Sequence, residues 1–221
     1  MTYSTELIVL NHTKFGENSV VLHTLSRAYG RRSFLVRTGS KAGMALFLPL
    51  NLLEAVISET PRATLWHARS LTVRHPLAGI RGNLLKNTIT LFMSEVLYRT
   101  IRDGADPDGL FDWCERSILT LDALESDFSN YPIRFLLELA VTLGFQPTAE
   151  DMAPYAESHL SELKTFLQAP FGESMLLPLS GSARNEIAQS ILRYLEHHTE
   201  SAIQIRSLAV LRELFSETGK L

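Results

Sequence analysis

Cysteine is almost missing from this chain: Cys114 is the only one in 221 residues. A single thiol excludes an intrachain disulfide framework and a zinc cluster built on paired cysteines, and it suits a reducing cytoplasm. Long hydrophobic runs are missing too. The most apolar helical segment, IRFLLELAVTLGF, is interrupted by Arg134 and Glu138 and is too short to cross a bilayer. The N-terminal MTYSTELIVL has neither a basic start nor a long apolar centre, so no secretion signal is expected and the protein is placed in the cytoplasm, away from membranes.

The motifs of common enzyme classes do not occur either. There is no G-x-S-x-G, no Walker loop, no H-E-x-x-H and no G-x-G-x-x-G. Cys114 stands in LFDWCERSIL beside Asp112 and Glu115, neighbours that raise a thiol pKa rather than lower it. The run GADPDGLFDWCE has part of a calcium-loop spacing, but Gly104 occupies the position where the first aspartate ligand belongs, and Asp106-Pro107 reads more simply as a helix start. His197 and His198 are adjacent, so on a helix they diverge by about 100° and do not share a metal; they suit the C-terminal end of a helix. No metal and no cofactor is expected. A nucleic-acid enzyme would need clustered carboxylates and a metal, and the only dense acidic run is Asp103 to Asp112.

Acidic residues are scarce in one place above all: none lies between Glu17 and Glu54. That gap contains RAYGRRSFLVRTGSK, with Arg27, Arg31, Arg32, Arg37 and Lys41. Up to Gly82 the chain has ten bases against four acids, a formal +6, and the remainder has eleven against twenty, a formal -9, giving the total of -3. So polarised a distribution supplies a local field that the whole-chain average hides.

Secondary-structure signals change with the charge. Five short runs rich in β-branched and aromatic residues precede Pro76: ELIVLNH, SVVLHTLS, RRSFLVRT, LFLPLNLLEAVIS and TLWHARSLTVRH. KFGEN, AYG, GSKAG and ETPRA separate them as turns. Five strands in this length predict a small closed barrel of the OB type. Strand alternation puts Phe34 and Val36 toward the core and Arg31 and Arg37 outward, with Arg32 still able to reach solvent and Arg27 and Lys41 in the flanking turns. Tyr29, Phe15 and Phe47 are nearby rings for stacking, whereas Trp66 and Trp113 are read as core residues.

Beyond Pro76 the period is helical. Leu85, Ile89, Phe92 and Val96 predict a helix over 83–102. Others are expected from Asp106-Pro107, over Tyr131 to Leu143 ending at Gly144, over Glu157 to Leu167, Ser182 to His197 and Ser207 to Glu217. The class is therefore α+β: a five-stranded OB-fold barrel in residues 1–80, expected to bind DNA, followed by an all-α domain in 81–221. HPLAGIRGN marks the join. An OB barrel holds single strands by a positive groove and aromatic stacking. If all five bases of the opening stretch contacted a single strand, log affinity would fall with log salt at a slope of about -3.5.

VLNHTKFGENSVVLHTLSRAYGRRSFLVRTGSK followed by LFLPLNLLE resembles the N-terminal barrel of the RecO recombination-mediator family. NLLKNTITLFMSEVLYRTI, PDGLFDWCERSIL, IRFLLELAVTLGFQP and LPLSGSARNEIAQSILRYLEHH continue the resemblance in order along nearly the whole chain. It implies a non-enzymatic protein of recombinational repair that binds single- and double-stranded DNA and anneals strands. It also implies contact with the acidic C-terminal tail of the single-stranded-DNA-binding protein, and joining with RecR to help load RecA, in the bacterial cytoplasm at the nucleoid. The basic positions carried over are Arg31, Arg37 and Lys41, with Arg27 and Arg32 as neighbours and Arg69 and Arg74 added from the fifth strand. Arg134 resembles a basic position near the partner-tail pocket. Many members carry a four-cysteine zinc module after the LGF helix, but QPTAEDMAPYAESHLSELKTFLQAPFGES has no cysteine, so packing by Leu160, Leu163, Phe166 and Leu167 is expected to replace it. The competing reading is a scaffold whose basic ridge docks an acidic protein partner.

Overall fold

Alternating burial along short strands builds the N-terminal unit. The computed structural model describes residues 2–38, 43–59, 63, 65–105, 107–156 and 158–218. It has strands β1 (Thr2–Lys14), β2 (Ser19–Ser26), β3 (Gly30–Arg37), β4 (Leu52–Ser58) and β5 (Trp66–Val73). Val20 and Leu22, Phe34 and Val36, Leu53, Ala55 and Ile57, and Trp66 and Ala68 point into one core, two residues apart along each strand. The strands close in the order β1-β2-β3-β5-β4. Only the β3–β5 contact is parallel, and all the others are antiparallel. This is the OB-fold expected from the sequence.

β1 is long because it serves two neighbours, pairing through Thr2–Ile8 with β4 and through Leu7–Lys14 with β2. The register slips by one residue between Val9 and Asn11, a bulge that bends the strand around the barrel. A second bulge, on β5, lies between the pairs Glu54–Thr72 and Val56–Arg69, and Ser70 there has φ 53°.

The fourth predicted strand is shorter than the run LFLPLNLLEAVIS. Its first part is a 3-10 turn, Met44–Phe47, and Leu50 has φ 58°. Pro49 has no N–H for a ladder, Phe47 inserts into the barrel core at 1% exposure, and the Asn51 side-chain amide donates to the carbonyls of Ala45 and Leu46 at 2.7 and 3.1 Å. Plugging the barrel outweighs the local β propensity.

The helices are α1 (Ala78–Arg81), α2 (Leu84–Thr100), α3 (Leu110–Ala123), α4 (Tyr131–Thr142), α5 (Ala149–Met152), α6 (Leu160–Gln168), α7 (Phe171–Leu176), α8 (Gly181–Thr199) and α9 (Ser207–Thr218). Ile89, Phe92 and Val96 are the buried face of α2, as their spacing demands. α4 ends as expected, with Gly144 at φ 92° and the Phe145 N–H donating to the Ala140 carbonyl at 2.9 Å. α3 starts later than Asp106-Pro107 predicts, because Gly109 at φ 73° turns the chain first; Asp106 itself lies outside the described residues. Leu163 and Phe166 of α6 are fully buried together with Met152 of α5, and Leu160 and Leu167 are half-buried.

Two compact units result. Met1–Ala78 cluster with Ile101–Ile118, and Gly79–Thr100 cluster with Leu119–Leu221. The segment Ile101–Ile118 thus packs with the barrel, although it follows α2 in the chain.

Candidate nucleic-acid interface

The predicted cations of the barrel separate into two groups. Arg31 is not on an outward ridge. It is 5% exposed, because the segment after Ile101 is laid along the start of β3. The Arg31 N–H donates to the Ala105 carbonyl and the Gly104 N–H to the Arg31 carbonyl, both at 2.8 Å. The guanidinium donates to the Ile101 carbonyl at 2.7 Å and lies 3.4 Å from Asp103. Gly104, at φ 79°, supplies the left-handed turn that lets the loop close around it. Arg31 is therefore a structural clasp within the barrel unit, and the expectation that it faces nucleic acid is corrected.

Arg27 and Arg74 are also engaged. Arg27 donates to Glu6, Asp112 and Glu115 and places its guanidinium carbon 4.3 Å from the centroid of the Phe111 ring. Arg74 pairs with Glu6 at 2.9 Å and Glu115 at 2.5 Å. Two guanidinium groups share three carboxylates, a formal -1, so this corner presents no excess positive charge. Glu6 and the acids of α3 are distant from the basic stretch in sequence, and folding brings them onto it. Arg32 is half-buried, with its guanidinium carbon over the Trp66 ring, 3.7 Å from the centroid.

Near Arg31 the outward face of β2 and β3 carries neutral polar groups. His23 bonds Ser33 at 2.8 Å through Nδ1 and Thr13 at 3.2 Å through Nε2. Burial and, next, the charge of Arg31 push the His23 pKa down, so the imidazole is neutral at pH 7.

Arg37 and Arg69 behave differently. Both are exposed. The β3–β5 ladder consists of Phe34–Trp66, Leu35–His67 and Val36–Ala68, and each arginine stands one residue beyond its last pair. There the strands part, and the bulge at Ser70 turns β5 aside. A cleft of about 690 Å³ opens between them, with Leu35, Leu46, Phe47 and Leu71 at its apolar part and Arg37, Ser58, His67, Arg69 and Ser70 as its polar groups. Among the described residues, no carboxylate lines it. Lys41, the last base of the opening stretch, lies outside the described residues.

Of the proposed stacking rings, Phe47 is buried and Tyr29 packs edge-on against Trp66, with centroids 5.0 Å apart. Phe15 is 55% exposed at the β1–β2 turn. Trp66 and Trp113 are core residues, each 8% exposed. His67 was not singled out from the sequence, although it shares the outward parity of Arg69 on β5; that parity is the signal that finds it.

Arg134, the predicted partner-tail residue, begins α4 but is held internally. It pairs with Glu138 one turn later at 2.6 Å and donates to the Ala169 carbonyl at 3.1 Å. Among the described residues, no group of three or more His, Cys, Asp or Glu could hold a metal ion. Cys114 is buried, and burial pushes its thiol pKa up. The residues after α4 do not fit a thiolate zinc module. Among the described residues, no helix is long and apolar enough to cross a membrane.

Comparison with known proteins places the chain in one family along most of its length. Residues 1–75 match the family model for the recombination protein O N terminal region, and residues 81–152 match that for its C terminal region. A protein of Phocaeicola vulgatus named DNA repair protein RecO is 27% identical over 241 aligned residues, covering 98% of this chain and 100% of its own. The protein of the same name from Flavobacterium johnsoniae is 28% identical over 239, with 98% and 100% covered. That of Bacteroides fragilis is 34% identical over 155, covering 68% of this chain and 64% of its own.

Proposed function

The chain belongs to the RecO family of DNA repair proteins, and from that premise we propose that it is a non-enzymatic recombination mediator holding DNA by phosphate contacts at the β3–β5 cleft. Weak contacts of this kind carry no sequence information, which suits a protein that must bind any strand, anneal complementary ones and help load a recombinase onto single strands. Its partners in this reading are single- and double-stranded DNA, RecR, and the acidic tail of the single-stranded-DNA-binding protein, in the cytoplasm at the nucleoid. Tail capture falls to the helical unit, by groups other than Arg134, whose guanidinium is already engaged.

The observation that carries this reading is the pair Arg37 and Arg69: two exposed guanidinium groups beside a cleft with no carboxylate among the described residues of its lining. A guanidinium fork matches phosphate geometry with two parallel hydrogen bonds. The remaining basic positions of the barrel support the reading less, because Arg27, Arg31 and Arg74 are bound to groups of the protein itself. Charge reversal tests it. The double variant Arg37→Glu/Arg69→Glu should keep its thermal transition and lose most affinity for both single strands and duplex in fluorescence anisotropy. Unchanged affinity in a folded variant would refute the assignment.

A further inference from the structure

We infer that the β3–β5 cleft seats one unstacked nucleobase of a single strand, against the His67 ring and the apolar wall, while Arg37 and Arg69 hold the flanking phosphates. The inference rests on the phosphate reading above and deepens it by naming what enters the cleft. Three features carry it.

The first is shape. The parallel ladder ends after Val36–Ala68, the bulge at Ser70 turns β5 away, and Phe47 of the 3-10 turn is among the residues below. What is left is a concavity of about 690 Å³, within the size class of small-ligand sites. A phosphate alone needs no such depth.

The second is chemistry. Leu35, Leu46 and Leu71 are half-buried and give the cleft an apolar wall suited to the face of a base. Arg37 and Arg69 stand at matching register positions beyond the ladder, suited to the backbone on either side of that base. With no carboxylate among the described residues of the lining, a phosphodiester entering the cleft meets no opposing charge from them.

The third is the ring. Phe47, the other aromatic residue of the lining, is 1% exposed, whereas His67 is exposed on the outward side of β5. Every base has a π-face, so stacking on such a ring is tolerant of sequence. A duplex keeps its bases stacked inside, and to use this seat it would have to extrude one. Single and double strands therefore share the arginines and differ at His67.

The test compares two labelled oligonucleotides of equal length and phosphate number, one of thymidine and one of abasic residues, by anisotropy with the full chain. The wild type should prefer the thymidine strand by about tenfold, the worth of a stacked base. His67→Ala should reduce that preference to about twofold or less, and His67→Phe, which restores a ring, should retain it. Equal affinity of the wild type for both strands overturns the inference, as does full preference in His67→Ala. The phosphate reading fails separately: in that case Arg37→Glu/Arg69→Glu binds both strands as the wild type does.

Discussion

Arg37 on β3 and Arg69 on β5 occupy corresponding positions, each one residue past the last parallel pair, Val36–Ala68, and both are exposed. Thirty-two positions apart in the chain, they converge at the one seam where the barrel strands run parallel. These two exposed cations thus flank a seam between two strands rather than lining a ridge along one.

Arg31 and Arg37 should part company in stability measurements. Arg31→Ala removes a buried guanidinium that closes the loop after Ile101, and should cost about 2–3 kcal/mol in urea unfolding. Arg37→Ala, at an exposed position, should stay within about 0.5 kcal/mol of wild type. Equal effects would show that Arg31 does not close the loop after Ile101.

Ser70 adopts φ 53° in the β5 bulge, a conformation that costs most residues energy but glycine little. Ser70→Gly should therefore stabilise the barrel by about 0.5–1 kcal/mol, visible as a raised denaturation midpoint. A lowered midpoint would show that the serine side chain holds the bulge.

Gly79 is needed for space. A Cβ there would come within 2.1 Å of the Asp122 carbonyl oxygen, a backbone atom, and the next residue's N–H, that of Ile80, donates to the Asp122 carboxylate at 2.7 Å. Gly79→Ala should destabilise the helical unit by about 1–3 kcal/mol. A neutral substitution would require α1 to have moved, which a crystal structure of the variant would reveal.

Glu95 on α2 caps α9 by accepting from the Arg206 N–H and from the N–H and hydroxyl of Ser207. Burial by itself raises the carboxyl pKa, but these hydrogen bonds outweigh it and the net shift is downward. A carboxyl depressed on folding contributes stability that is fully present above its unfolded pKa, about 4.3, and is lost as pH falls through the folded value. Acidification below about pH 4 should therefore loosen α9 in the wild type. Glu95→Gln should be less stable at neutral pH and show a shallower acid limb; identical limbs would remove Glu95 as the cause.

The barrel was legible because inward residues recur at every second position within each strand, as at Val20 and Leu22 or Trp66 and Ala68, and that pattern survives any arrangement of the surface. The helices were legible for the same reason at a different period, and the cap at Gly144 was visible as a glycine after an apolar run. The site was less so. Strand parity correctly turned Arg37 outward and assigned the same direction to Arg31, but the burial of Arg31 depends on a segment some seventy residues later, which no local period encodes. Glu6, Asp112 and Glu115 reach Arg27 and Arg74 only after folding. The cleft itself arises from a bulge and an interrupted strand, where Pro49 and Phe47 override the apolar run and Ser70 takes a backbone conformation its composition does not advertise.

Salt dependence tests the central claim most directly, because each phosphate contact to a single strand contributes about -0.7 to the slope of log affinity against log salt. Removing Arg37 and Arg69 together by alanine should make the slope less steep by about 1.4. An unchanged slope in a folded double variant would contradict the account and place the DNA elsewhere on the molecule.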